Sequence, residues 1–271
     1  MNRSPRFEVL PEFEITPSLT FDELSKNVKH TSNLGLRPIT DCDAWRSDNR
    51  IAVVGGGPSL KHNLKELRRY KYIMACGSVH DYLVDNNIFP TWCAVTDPDE
   101  IMIKYLQRPS PHTKYLLASQ CHPKLFDHLR YDDVFVWHAG GSPEENQLIK
   151  FPDTDYVLGG GCTIGTRAIV IATHFGFENI TLFGFDSCIV GDEHHAYDFV
   201  DPSKETLGHI FDIKVGSEDS PTFKVAGYMV GQIRDFQALC AIYAKTIKFT
   251  IVGDGPLAEI ISLASKQAQE Q

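Results

Sequence analysis

From Arg50 onward the chain repeats one unit: a short apolar run, a break of glycine, serine or aspartate, then a stretch with helical spacing. "IAVVGGGPSL" leads into "KHNLKELRRY", "KYIMACGS" into "VHDYLVDNN", and "GGGCTIGTRAIVIATHFGF" into the apolar run of "NITLFGFDSC". "TWCAVTDPDE", "KYLLASQCHP", "DVFVWHAGG" and "IKFTIVGDGPL" supply further apolar runs. Apolar runs without alternation are strands buried on both faces, and strands that alternate with helices line up in parallel. The pattern predicts an α/β fold: a Rossmann-like, mostly parallel sheet with helices on both faces. One stretch breaks the rhythm. "HIFDIKVGSEDSPTFKVAGYM" holds two alternating runs around Gly-Ser-Glu-Asp-Ser-Pro, which predicts a β-hairpin insertion near the site end of the sheet.

The repeat also sets the expected boundaries. Residues 49–260 read as the Rossmann-like domain, 1–48 as an N-terminal extension and 261–271 as a fraying tail, a plan that fits 271 residues. Within the extension, Thr20 and Glu23 have the spacing of a helix capping box. No apolar run approaches the roughly 18–20 residues that span a bilayer, and the N-terminus lacks the apolar stretch of a signal peptide. The seven cysteines, Cys42, Cys76, Cys93, Cys121, Cys162, Cys188 and Cys240, are odd in number and form no CxxC. They read as reduced thiols, so a cytoplasmic location is expected. A formal net charge of −9 leaves no footprint for non-specific nucleic-acid binding. Backbone amides and a few local cations can still hold a small anion. The expected partners are a small-molecule donor and an acceptor, without nucleic acid or a membrane span, and a homo-oligomer is compatible with the sequence.

Ligands of open α/β sheets bind at the carboxyl ends of the strands. Here those ends carry Gly55, Gly56, Gly57, Pro58 and Ser59; Gly77 and Ser78; Asp97 and Asp99; Ser119 and Gln120; His138; and Asp186. "GGGPSL" lacks both the Lys-Ser/Thr of a Walker loop and the third glycine of a dinucleotide fingerprint, so it predicts an anion site or a plain strand–helix corner. "GGGCTIG", with Gly160, Gly161, Cys162 and Thr163, is a second glycine turn that opens a helix and can face a nucleotide. Asp97 and Asp99 form a D-x-D pair able to hold Mg²⁺ or Mn²⁺ or to accept from a sugar hydroxyl. "DEHHAYD" sets His194 and His195 among acids, the natural setting of a general base near neutral pH. Adjacent histidines point in different directions, so at most one faces a given substrate. Asp186, after "NITLFGF", joins the two histidines as a candidate catalytic group.

These blocks, in this order, carry a resemblance over about residues 50–200. "GGGPSL", "ACGS", "FPTWCAVTDPD" and "GGGCTIGTRAIVIATHFGFENITLFGFDSCIVGDEHHAYD" resemble the domain shared by the Maf flagellin glycosyltransferases and the 6-hydroxymethylpterin pyrophosphokinase-like proteins. The motif order is also similar to that of bacterial CMP-sialic-acid-dependent sialyltransferases. The resemblance implies a nucleotide in the cleft, with Gly55 to Ser59 near the donor phosphate and Gly160 to Thr163 on the nucleotide's other side. In the glycosyltransferase branch the donor would be a CMP-nonulosonate sugar, and a histidine would take the acceptor's proton. In the pterin branch ATP and Mg²⁺ would serve pyrophosphoryl transfer, and Asp97 and Asp99 would matter more. A nucleotide-binding module without catalysis is the third reading. The chain departs from the sialyltransferases at Gly77, where they place Asn, and it lacks the long flanks of the Maf proteins.

Overall fold

The computed structural model describes residues 19–42, 49–130, 132–149, 151–152, 156–198, 207–216 and 220–269. The loosely alternating segment before residue 19, part of the expected extension, lies outside them. The chain begins with α1 (Phe21–Ser32), β1 (Arg37–Pro38), β2 (Arg50–Val54), α2 (Leu60–Leu67), β3 (Ile73–Cys76) and α3 (Val79–Asp85). Then come β4 (Trp92–Val95), β5 (Lys114–Ala118), α4 (Pro123–His128), β6 (Asp133–Ala139), α5 (Pro143–Ile149) and β7 (Val157–Leu158). The last part holds α6 (Ile164–His174), β8 (Asn179–Phe183), β9 (Ile210–Lys214), β10 (Thr222–Ala226), α7 (Gly227–Tyr243), β11 (Lys248–Val252) and α8 (Pro256–Gln269).

The main sheet has the order β1-β6-β5-β4-β3-β2-β8-β11, with β7 beside β6. Every pair in it is parallel. This is the expected Rossmann-like α/β architecture. The apolar runs explain it directly: Ile51, Ala52, Val53 and Val54 are all fully buried, as are Leu116, Leu117 and Ala118, because helices cover both sides. Right-handed crossovers put α2, α3 and α4 on one face and send α6 back across the other. There α6 packs on β2, β3 and β4 and against α7. The predicted hairpin is the antiparallel pair β9–β10, and a bridge between Ile189 and Lys224 ties it to the segment after β8.

Two regions do more than their sequences suggest. The stretch before residue 49 supplies β1, which extends the sheet with Arg37 opposite Phe135, and α1, which packs on α4 and α5. The Arg37 guanidinium pairs with Asp133 and lies 4.2 Å from the centre of the Phe135 ring. A two-residue strand ending in proline has no periodicity to detect. The Thr20 capping box is present, with the Thr20 amide 2.9 Å from the Glu23 carboxylate. At the other end, α8 continues through "ASKQAQ" where fraying was expected from residue 261.

The sheet grows from β2 outward to β6, then α6 carries the chain back to place β8 on the other side of β2. This reversal creates the switch point of a doubly wound sheet between the loops that follow β2 and β8. Those loops interlock. The Gly55 amide donates to Phe183 O and the Gly57 amide to Gly184 O, both at 2.8 Å. Gly184 has φ +63, and a Cβ there would stand 2.5 Å from Gly55 O. Gly184→Ala is expected to lower unfolding free energy by about 2–3 kcal/mol through left-handed strain and this clash. Urea unfolding followed by circular dichroism measures it; an unchanged midpoint would contradict the interlock.

Candidate functional site

The sequence-selected residues fall into two groups. The first surrounds the interlocked loops. Ser59 donates its amide to the Asp186 carboxylate at 2.8 Å. Gly55, Gly57 and Ser59 therefore have their amides engaged by the chain, and Pro58 has none to offer. A Cβ at Gly57 would stand 2.3 Å from the Asp186 carboxylate, and one at Gly255 would stand 1.9 Å from Asp186 O. These glycines let three loops close around one residue, Asp186. Asp186 is 3% exposed, and burial, with Asp254 nearby, raises its proton affinity against the lowering effect of Ser59. Asp186 also lines a cavity of about 410 Å³ beside the junction.

"DEHHAYD" lies across the same junction. Ala196 donates to Gly56 O at 2.7 Å, and Lys61 pairs with Glu193 at 2.7 Å. A Cβ at Gly56 would stand 2.5 Å from the Tyr197 hydroxyl and 2.8 Å from the His195 ring. His195 and Tyr197 thus stand directly against Gly56. The two histidine rings diverge, at an interplanar angle of 77°. Burial, reinforced by His194, pushes His195 down to about 4, so its imidazole is neutral at pH 7. Ser78 sits at the edge of this group, its hydroxyl 2.6 Å from that of Tyr197. Gly77 turns beside it with φ +53 and its amide on Ala94 O.

The second group lines a cleft of about 480 Å³ at the carboxyl ends of β4, β5 and β6, beneath the N-terminus of α6. That volume lies within the usual range for small-molecule sites. Asp97, Cys162 and Thr163 line it, together with Gln120, Glu145 and Arg167. Leu19, Phe21, Leu24 and Ile149 give it an apolar wall. Thr163 caps α6 by accepting from the Thr166 amide at 3.4 Å. By helix geometry the amides of Ile164 and Gly165 have no intrahelical acceptor. The glycine turn before them is shaped by α7: the Cys162 amide donates to Asp235 at 2.6 Å, and a Cβ at Gly161 would stand 2.2 Å from that carboxylate. Gly160, with φ +120, turns against Arg167 and Val170. Gln120 is held rigid between the Ala139 amide and carbonyl, at 3.2 and 2.6 Å.

The D-x-D pair divides. Asp97 lines the cleft and accepts from the Asp99 amide at 2.9 Å, whereas Asp99 caps the turn Glu100–Tyr105 through the Ile101 amide at 2.8 Å. Among the described residues no group of three or more His, Cys, Asp or Glu is arranged to hold a metal ion. His138 is 2% exposed, stacked between Phe151 and Tyr156, with Nδ1 2.6 Å from the Ser119 hydroxyl. Sequence reasoning passed over Arg167 and Glu145. Both had a signal: Arg167 lies one turn beyond Thr163 on the same helix face, and Glu145 completes a Ser-x-x-Glu box with Ser142, whose amide lies 2.6 Å from its carboxylate.

With this geometry in view, the relatives are informative. Residues 21–192 match the family described as "MptE-like: 6-hydroxymethylpterin diphosphokinase MptE-like", and the chain belongs to that family. No curated protein matches it significantly. Among solved structures it is similar to the Maf glycosyltransferase from Magnetospirillum magneticum AMB-1, with 16% identity and a TM-score of 0.65. That match covers 94% of this chain and 43% of the Maf chain, so the chain spans less than half of that relative. A mammalian sialyltransferase in complex with Gal-beta-1-3GalNAc-ortho-nitrophenol is matched at 12% identity and a TM-score of 0.43, over 88% of this chain and 81% of the other. The Maf match extends the Rossmann-like assignment to nearly the whole chain. Among the described residues no helix is long and apolar enough to cross a membrane.

Two outcomes follow from the junction. Asp186→Ala leaves the Ser59 amide without its buried acceptor and should cost about 1–3 kcal/mol, while Asp186→Asn, which retains an acceptor oxygen, should cost less. Equal losses for both variants in urea unfolding would contradict the bond. His195 binds its proton at about 4 in the folded chain against an ordinary 6.5. Its contribution to stability is complete above 6.5 and is lost as pH falls toward about 4, because the unfolded chain takes up the proton first. Unfolding free energies at pH 7.5 and 4.5 should differ less in His195→Gln than in the wild type; an unchanged difference would refute the assignment.

Proposed function

We propose that this member of the MptE-like family is a nucleotide-dependent transferase whose donor occupies the cleft beneath α6. We propose further that the donor is a nucleotide-linked sugar of the CMP-nonulosonate type. The observation that carries the reading is the cleft's charge. Its described lining has one cation, Arg167, against two carboxylates, Asp97 and Glu145. Such a donor carries two anionic groups, one phosphodiester and the sugar carboxylate, fewer charges than a bare triphosphate, and the α6 N-terminus with one guanidinium is suited to holding one of them. A bare triphosphate in the same cleft would meet a net negative lining. The apolar wall of Leu19, Phe21, Leu24 and Ile149 is suited to a base or the carbon face of a sugar.

In this reading the bond from the anomeric carbon to the phosphate oxygen breaks and its electron pair leaves with the nucleotide. Arg167 and the α6 amides face the charge that grows on that phosphate. The acceptor hydroxyl forms the new bond to the anomeric carbon, and its proton passes to Asp97, the strand-end carboxylate of the cleft. This moves the base from His194 and His195, which stand outside the cleft lining, to a group inside it.

Family membership supports a second reading: an ATP-dependent diphosphokinase acting on a hydroxymethyl heterocycle. Mg²⁺ would then rest on Asp97 and on the nucleotide's own phosphates, since such sites often combine one or two carboxylates with substrate oxygens. Thermal melting with CMP, UDP, ADP and ATP, each with and without Mg²⁺, separates the two. CMP is expected to stabilise the fold by about 2.7 kcal/mol at a hundredfold excess over its Kd, with no need of metal. Stabilisation by ATP with Mg²⁺ and none by CMP would replace the sugar donor with the diphosphokinase reading. No stabilisation by any nucleotide would remove both.

A further inference from the structure

Arg167 is placed unusually for a surface-reaching cation. It stands one turn into α6, half-buried, and lines the cleft. Its Nη1 donates to two backbone carbonyls, Gly140 O at 2.9 Å and Leu158 O at 3.1 Å. Those bonds clamp the guanidinium between the end of β6 and the end of β7. No carboxylate among the described residues comes within ion-pair distance of it, and its Nη2 and Nε make no hydrogen bond to them.

A guanidinium partly withdrawn from water, with no carboxylate at ion-pair distance among the described residues, is costly unless an anion completes it. Burial does weaken its hold on the proton, although Cys162, Asp235 and Glu145 nearby oppose that shift. Clamping through Nη1 leaves the remaining donors as a rigid planar fork. That is the shape that recognises two oxygens of a phosphate or a carboxylate, and its rigidity removes the entropy cost that a mobile arginine carries.

We infer that Arg167 is the residue that receives an oxyanion of the ligand in this cleft. The inference deepens the nucleotide reading above and rests on its placement of the ligand. Under the sugar-donor reading that oxyanion is the donor phosphate. The carboxylate of a nonulosonate sugar shares the same chemistry, and a ligand series distinguishes the two.

The test is calorimetric titration of the full chain and of the variants Arg167→Lys and Arg167→Met. The ligands are cytidine, CMP, ADP, pyrophosphate and N-acetylneuraminate. The wild type is expected to bind CMP more tightly than cytidine. Arg167→Met should lower CMP affinity about tenfold to a hundredfold and leave cytidine unchanged. Arg167→Lys, which keeps the charge without the fork, should fall between them. Loss confined to N-acetylneuraminate would keep the oxyanion role and assign it to the sugar carboxylate. Binding of ADP or pyrophosphate but not CMP, with the same loss in Arg167→Met, would retain Arg167 and discard the cytidine donor. The inference is overturned if no oxyanion binds the wild type, or if the variants bind each one as the wild type does. A fall in melting temperature with an unchanged ratio of CMP to cytidine affinity would also overturn it, because a purely structural clamp predicts that result.

Discussion

The hydrogen bond from the Ser59 amide to the buried Asp186 carboxylate holds together the place where the sheet changes direction. β2 is flanked by β3 on one side and β8 on the other, so the loops leaving β2 and β8 must pass each other at one crowded point. Glycine at 55, 57 and 184 makes that passage possible, since a side-chain carbon at any of them would press on backbone or carboxylate oxygen at 2.3–2.7 Å. The carboxylate joins the two loops and also meets the loop after β11 at Gly253, while Gly255 lies against the Asp186 backbone carbonyl. The junction therefore fixes the relative height of three strand ends, and with them the segment carrying His195 and Tyr197.

In many doubly wound sheets the crevice at the reversal of strand order receives the ligand. Here the amides of Gly55, Gly57 and Ser59 are engaged internally, and an imidazole and a phenol stand against Gly56. A cavity of about 410 Å³ lies beside the junction, lined by Pro58, Ser59, Asp186 and Asp254, and the cleft of about 480 Å³ lies further along the rim, over β4, β5 and β6, lined by the start of α6, Arg167 and Asp97. The chain's net charge of −9 does not set the field in that cleft, which depends on the charges within about a Debye length of it: one clamped guanidinium, a helix end and the carboxylates of Asp97 and Glu145.

Much of the fold could be read from the sequence. The unalternating runs of β2 to β6 and β8 announce strands covered on both sides, and each ends in residues that only a turn favours. Thr20 and Glu23 announce α1, and the alternating runs announce β9 and β10. The site was less legible. Glycine permits close approach to a phosphate and close approach to another loop for the same reason, the missing Cβ. "GGGPSL" therefore reads equally well as a ligand cradle or as a crossing of loops, and in the structure it crosses the loop after β8 while Pro58 and Ser59 line a cavity. Asp97 and Asp99 share a pattern, yet backbone direction sends one to the cleft and the other to a helix cap. Leu19, Phe21 and Leu24 sit in a stretch that reads as an extension packed on the main domain or on a partner subunit, with nothing in its spacing to mark it as a wall of the cleft.

The sequence by itself determined the class of sheet, the direction of its strands and the rim where polar residues collect, because burial on two faces and the need for crossovers are written in local periodicity. Only the tertiary structure decided which part of that rim is open. Whether a glycine amide faces a ligand or a carbonyl, and whether an arginine has a carboxylate beside it, depends on segments more than a hundred residues apart in the chain, such as Ser59 and Asp186. Local spacing carries no record of such distances.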